Sequence, residues 1–261
     1  MNLISNESMN FYKNKLKQHG SQLNLSLIDG IEVLQGLASF DGPVGCRELA
    51  RYLELDTTRV NRLLRTLAFV GFARQTEDRK YTTGPAMLVL AAQGLFASGV
   101  TQNAIKPLEE LRAYGLVVAM GVLWRDKVTY LYHSLPNMGT ESPLGRLGYF
   151  PATECGVGMS LLAELEDAEI THLYSGKEIP GYPDGFDSLM KCIKEIRDNK
   201  FVRIETHYKT HLPHHTVSLA VNVKGAMHSA IALSGWIPED ATDGLIKSLN
   251  QIASDIEAIT E

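Results

Sequence analysis

The chain has 261 residues, 44% of them hydrophobic and 21% charged, with a formal net charge of −5 at pH 7. That length accommodates one or two domains with enough apolar material for a core, and no apolar run reaches the length of a membrane span. The three cysteines, Cys46, Cys155 and Cys192, are odd in number and far apart, which argues against a disulfide framework and fits a reducing cytoplasm.

The charge is unevenly spread. Residues 1–100 carry 11 Lys/Arg against 9 Asp/Glu, whereas residues 101–261 carry 14 against 21. Between Thr57 and Lys80 lie six basic residues (Arg59, Arg62, Arg65, Arg74, Arg79, Lys80) and two acidic ones (Glu77, Asp78). A local basic patch on an acidic chain is the footprint of a small nucleic-acid module joined to something else.

Residues 1–23 are polar, lack the apolar stretch of a secretory signal, and read as a flexible tail with a short helical turn near Phe11–Lys17. In the segment from Leu25 to Phe40, Leu27, Ile28, Ile31, Leu34 and Leu37 follow helical spacing, and Asp41-Gly42-Pro43 ends that helix. Cys46–Leu53 is a short second helix. Asp56 is a good N-cap for a third that starts at Thr57. There Val60, Leu63, Leu64 and Leu67 form one apolar stripe. Thr58, Arg62 and Arg65 fall opposite it, with Asn61, Thr66 and Arg59 on the flanks, and no acid lies on the polar face. Phe72–Gln75 and Lys80–Thr83 read as two short strands around a turn at Thr76–Arg79.

These parts compose a winged helix-turn-helix over residues 24–84, whose third helix fits the major groove of duplex DNA. Arg62 and Arg65 have the reach for guanine or phosphate, and Asn61 for adenine. Thr57 and Thr58 stand beside the free amides of a helix start. Arg79 and Lys80 lie on the wing. Residues 85–101 form an apolar linker helix after Gly84-Pro85, for which a partner subunit is the simplest cover.

From residue 102 the pattern is mixed. A helix over Thr101–Tyr114 precedes a hairpin of Val117–Trp124 and Val128–His133. A Gly/Pro-rich loop follows over Pro136–Tyr149. Helices are expected after Glu154, over Asp167–Tyr174 and over Asp187–Asn199, with a strand over Phe201–Glu205. Thr216–Val223 and Ala226–Gly235 form a second hairpin around Lys224-Gly225, and a last helix carries Leu245, Leu249, Ile252 and Ile256. The overall class is α+β with an antiparallel sheet. Trp124 and Trp236 are expected in the core or a pocket wall, and His133 as a satisfied structural histidine.

The run from Cys46 to Leu95 resembles the DNA-binding half of the IclR family of bacterial transcription regulators. The resemblance is carried by Leu49-Ala50, Arg59-Val60-Asn61-Arg62-Leu63-Leu64, Leu67, Gly71-Phe72, Tyr81 and Gly84. Arg59 stands where that family often has Thr. Phe150-Pro151 through Leu161-Leu162-Ala163 and Val217–Gly235 resemble segments of the same family's C-terminal half, with Met159 in place of Lys and Asn222 in place of Pro. In all, the resemblance covers about residues 24–260. It implies a GAF-like effector domain over residues 102–261 that binds a small metabolite and helps form homodimers or homotetramers. The expected function is a cytoplasmic regulator, a repressor, whose operator binding responds to an organic or sugar acid. The expected effector contacts are Glu154, Cys155, Gly156, Val157, Gly158, His207, Tyr208, Ser218 and Ser234. The amides of Gly156–Gly158 at a helix start suit an anion.

Four of the eight histidines, His207, His211, His214 and His215, fall within nine residues. Neutral imidazoles at such spacing are candidate zinc ligands, although Pro213 breaks any helix between them and no cofactor is required by the regulator reading. A rival reading is a metal-binding or cysteine-dependent enzyme with an accessory winged helix, Cys155 being the nucleophile. No cysteine-hydrolase signature, phosphate loop or dinucleotide fingerprint accompanies it. A third reading, a winged helix that binds protein instead of DNA, is disfavoured by the acid-free face of Thr58, Arg62 and Arg65.

Overall fold

The computed structural model describes residues 23–99, 103–136, 150–206, 216–224 and 228–258. Residues 1–22 of the expected tail, residues 137–149 of the expected Gly/Pro-rich loop, and residues 207–215, which bear His207, His211, His214 and His215, lie outside the described residues. The chain divides into two compact units, Met1–Ala97 and Ser98–Glu261.

The first unit begins with α1 (Leu25–Ala38), capped by the Asn24 side chain, which accepts from the Leu27 amide at 3.1 Å. It continues through α2 (Cys46–Tyr52) and α3 (Thr57–Phe69). Asp56 caps α3 by accepting from the Arg59 amide at 2.9 Å, as its sequence position predicts. The short strands β1 (Ala73–Gln75) and β2 (Tyr81–Thr83) pair antiparallel, and Val44 bridges to Tyr81 beside them. Val33, Leu37, Leu49, Leu53, Val60, Leu64 and Tyr81 form the core. Gly36 lets α1 approach α2, since a Cβ there would stand 2.8 Å from Leu53 Cδ2. Gly84 is required: a Cβ would lie 2.2 Å from the Gly71 carbonyl oxygen. The unit ends with α4 (Ala86–Ala97), which buries none of its residues.

Periodicity misplaces one face. The apolar residues Leu27 and Ile31 of α1 are 61% and 41% exposed, while Asp29 and Glu32 are buried with Val33, Gly36 and Leu37. α1 carries apolar residues on two faces, and the one bearing Gly36 packs closest against α2.

The second unit is built on a six-stranded antiparallel sheet in the order β5-β4-β3-β8-β7-β6. Its elements run α5 (Ile105–Leu111), β3 (Val117–Trp124), β4 (Lys127–Ser134), β5 (Phe150–Pro151), α6 (Gly156–Ala163), α7 (Asp167–Tyr174), α8 (Phe186–Asn199), β6 (Val202–Thr206), β7 (Thr216–Val223), β8 (Ser229–Gly235) and α9 (Thr242–Ala258). α5 and α9 cover one face, burying Leu108, Val118, Met120, Tyr132, Leu219, Ile231, Leu233, Leu249 and Ile252 among others. On that side the Tyr132 hydroxyl donates to Glu109 Oε1 at 2.6 Å, and Arg112 pairs with the same carboxylate at 2.7 Å. Burial and the Glu109 charge hold the Tyr132 phenol well above its ordinary range. α6 lies on the other face, over Gly121, Ser218 and Ala220.

A bulge on β4 pairs Met120 with Tyr132 but Gly121 with Tyr130. The shift places both Tyr130 and His133 on the α6 face while Tyr132 stays in the opposite core. Trp236, expected in the core, is 72% exposed, because it follows the last residue of β8 and leaves the sheet at Gly235. Among the described residues no helix is long and apolar enough to cross a membrane.

Candidate functional site

The first cluster of candidate functional residues is the outer face of α3. Val60 and Leu64 are fully buried and anchor the helix to α1 and α2. That leaves Thr57, Thr58, Arg59, Asn61, Arg62, Arg65 and Thr66 exposed on the remaining circumference, with no acid in the helix. The Cys46 thiol contacts the Thr57 carbonyl at 3.7 Å, tying α2 to the start of α3. Thr66 is occupied within the helix, its hydroxyl donating to the Arg62 carbonyl at 3.0 Å. Arg62 and Arg65 extend into solvent, and among the described residues neither is in an ion pair. Arg59 differs: its Nε contacts the carboxylate of Asp29 on α1. Sequence reasoning missed Asp29, because that residue sits off the apolar stripe expected to face inward.

The wing turn is closed by the Thr76 amide donating to the Lys80 carbonyl at 2.8 Å and by Arg79 N–H donating to the Thr76 carbonyl at 3.0 Å. Arg79 adopts a left-handed φ of 61° at the tip, a conformation uncommon outside glycine and asparagine. Lys80 reaches Asp78 at 3.6 Å across an exposed surface, a pairing worth little in water. Both wing cations therefore stay available.

The second cluster lies under the N-terminus of α6. Cross-strand register sets Ser234 opposite Val117 and Ser218, and Ala232 opposite Ala119 and Ala220, with His133 opposite Ala119. Ser234 donates to Ser218 at 2.9 Å between two buried hydroxyls. Small side chains across this face are what allow α6 to settle on the sheet. A Cβ on Gly156 would fall 2.3 Å from Ser218 Oγ, and one on Gly158 would fall 2.2 Å from the Ala152 carbonyl oxygen. Gly156 and Gly158 thus serve close packing. The Gly158 amide is engaged, donating to Cys155 Sγ at 3.4 Å, and Val157 is buried beside Gly121. Glu154 stands exposed at the edge of the cluster.

Cys155 is buried, and burial pushes its thiol up to about 11, against smaller opposing contributions from the Tyr130 hydroxyl and the Gly158 amide. The thiol is therefore protonated at neutral pH and acts as a helix cap, the opposite of what a nucleophile needs. Met159 is fully buried, its sulfur accepting from the Tyr182 hydroxyl at 3.6 Å. Asn222 clamps α6 to β7, donating to the Ser160 carbonyl at 3.2 Å and to Glu164 Oε1 at 2.8 Å and accepting from Ser160 Oγ at 2.8 Å. Both departures from the family segment thus have structural partners. His207, Tyr208, His211, His214 and His215 lie outside the described residues. Among the described residues no three His, Cys, Asp or Glu side chains gather as metal ligands.

Residues 26–77 match the IclR helix-turn-helix domain. Two curated relatives are similar: the transcriptional repressor IclR of Escherichia coli K12, 27% identical over 169 residues, and the acetate operon repressor of Salmonella typhimurium, 24% identical over 163. Each match covers 60% of this chain and 59% of the relative, so the chain spans under two thirds of the length of either repressor. Among solved structures, the fold is similar to an IclR family transcriptional regulator from Brucella abortus (TM-score 0.72, 21% identity, 92% of this chain and 94% of that one). It is also similar to an IclR homolog from Microbacterium hydrocarbonoxydans complexed with 4-hydroxybenzoate (TM-score 0.66, 17% identity, 89% and 98%). A basic-faced helix-turn-helix with a wing, followed in one chain by an α+β unit on an antiparallel sheet, defines a class of two-unit winged-helix proteins. Within that class the chain carries an IclR helix-turn-helix domain over residues 26–77 and is similar in fold to an IclR family regulator. Both curated relatives and the Brucella neighbour are regulators rather than enzymes.

Proposed function

We propose that the protein is a DNA-binding transcriptional repressor acting in the cytoplasm, and that its second unit binds a small organic acid which modulates operator binding. The observation that carries the reading is the outer face of α3. Thr57, Thr58, Asn61, Arg62 and Arg65 are exposed there around a helix without a carboxylate, on a domain matched as an IclR helix-turn-helix. The naming of both curated relatives as repressors supports the sign of regulation.

Homodimerisation supports recognition of two half-sites by two copies of α3. The apolar helix α4, none of whose residues is buried, together with Leu27 and Ile31 of α1, favours a second copy as cover. The effector is proposed to sit against Ser218 and Ser234 near the start of α6, with the segment bearing His207 and Tyr208 following β6. A carboxylate ligand is favoured by the hydroxyl pair and by the 4-hydroxybenzoate with which the Microbacterium hydrocarbonoxydans homolog is complexed. Effector binding then shifts the population of DNA-competent protein by its differential affinity for the two states.

The test is recovery of duplexes from a random pool by the full chain, followed by titration with small aromatic and aliphatic acids. Sequence-selective, salt-sensitive binding that one class of acid weakens supports the reading; a chain that recovers no duplex sinks it. Zinc at His207, His211, His214 and His215 is a separate proposal: a zinc-induced rise in melting temperature that His211→Ala plus His214→Ala removes supports it, and no rise refutes it.

A further inference from the structure

Asp29 lies on the packed side of α1, its side chain 12% exposed, while Leu27 and Ile31 of the same helix face solvent. A helix that buries an aspartate and exposes leucine gains nothing from it hydrophobically, and a carboxylate so removed from water requires a counter-charge. Arg59 supplies it. Arg59 is the third residue of α3, in the first turn, the part of a recognition helix whose side chains contact base edges.

The geometry of the pair matters. The contact to Asp29 is made through Nε, and 43% of the Arg59 side chain remains exposed, so the pair does not itself engage the terminal Nη1 and Nη2 groups. Pairing with a carboxylate cancels most of the charge that a phosphate would attract. It also restricts the rotation of the guanidinium plane. A phosphate contact needs charge and tolerates loose geometry, whereas bidentate recognition of guanine O6 and N7 needs two parallel donors held in a plane. Arg62 and Arg65, exposed and outside any ion pair among the described residues, are better placed to supply phosphate charge.

We propose that Asp29 is a positioning residue that holds the Arg59 guanidinium for base discrimination, with a guanine edge as its target, and that Arg59 adds specificity rather than counter-charge. The proposal rests on the DNA-binding reading above.

The experiment measures the affinity of the full chain for a duplex it has recovered from a random pool and for a scrambled duplex of equal length, over a salt series. Arg59→Ala is expected to cost about tenfold on the recovered duplex and little on the scrambled one. Its slope of log affinity against log salt should change by clearly less than the about 0.9 that one phosphate contact contributes. Asp29→Asn is expected to lose discrimination in the same direction, and the double variant to be no worse than Arg59→Ala. Arg59→Lys keeps the charge and loses the planar fork, so it is expected to lose discrimination at an unchanged slope. Because Arg59 is exposed, this variant decides the matter even if Asp29→Asn does not fold. Equal losses on both duplexes with a slope change of about 0.9 would make Arg59 a phosphate contact and overturn the proposal. So would additive losses in the double variant, undiminished discrimination in Arg59→Lys, or an Asp29→Asn chain that folds and binds as tightly as wild type. In each of those cases DNA binding by the wild type survives; if the wild type recovers no duplex, both readings fall.

Discussion

Replacing Arg62 and Arg65 together with alanine removes the two cations of α3 that extend into solvent outside any ion pair among the described residues. The fold has little reason to respond. Val60 and Leu64 carry the packing of the helix, alanine is the best helix former, and exposed substitutions of this kind shift stability by less than about 0.5 kcal/mol. DNA binding has every reason to respond. If each arginine neutralises one phosphate, the slope of log affinity against log salt falls by about 1.8 per bound chain. The advantage of wild type over the variant then shrinks about tenfold between about 50 and about 200 mM salt. If one of the two reads a base instead, the slope falls by about 0.9 and the loss concentrates on the recovered duplex. Fluorescence anisotropy over a salt series separates these cases, with a thermal melt as control. An unchanged affinity and slope in a variant that melts like wild type would refute the assignment of α3 to the major groove.

Three further outcomes are expected. Leu88→Glu plus Phe96→Glu places charges on the exposed face of α4, so light scattering should report monomers and operator affinity should drop; an unchanged mass would show that α4 does not join the subunits. Gly158→Ala drives a Cβ to 2.2 Å from the Ala152 carbonyl oxygen, a backbone clash that side-chain movement cannot relieve, and should cost about 1–3 kcal/mol of stability by chemical denaturation; a neutral result would mean that α6 is not seated this closely. Glu109 is held below the ordinary glutamate value of 4.5, first by the Tyr132 hydroxyl and then by Arg112. A depressed carboxylate contributes stability that is present above its unfolded pKa and is lost as pH falls through its folded one. Glu109→Gln should therefore destabilise the protein at neutral pH and flatten the loss of melting temperature below about pH 4.5; parallel pH profiles for wild type and variant would contradict the assigned cause.

The exposed polar side of α3 was legible in the chain because its pattern is strong and local. Asp56 before Thr57, a single apolar stripe through Val60 and Leu64, and an acid-free opposite face leave one way to lay the helix down. The first hairpin of the second unit was legible for the same reason, only Arg125 and Asp126 separating β3 from β4, whereas β8 starts at Ser229, three residues later than the expected Ala226. The orientation of α1 was not, since Leu27 and Ile31 on one face and Val33 and Leu37 on another satisfy the same helical period. The role of the glycines before α6 was also hidden. Gly156 and Gly158 read as a cradle for an anion, and the folded unit adds a packing role that the sequence did not show, as contact points with Ser218 and Ala152.

The sequence by itself determined the order of the helices and of every strand but the short β5, the cap of α3, the basic patch from Thr57 to Lys80 and the antiparallel character of the second half. All of these depend on side chains within a few positions of one another. Tertiary structure alone decided what long-range contact requires. It pairs Asp29 with Arg59 across 30 positions of chain. It turns Tyr130 and His133 to the same face through one bulged residue, and it brings Ser218 and Ser234 together beneath a helix that begins at Gly156. Charge and periodicity announce which residues can face solvent, but which buried partner a side chain meets is set only when helices and strands distant in sequence close on a common core.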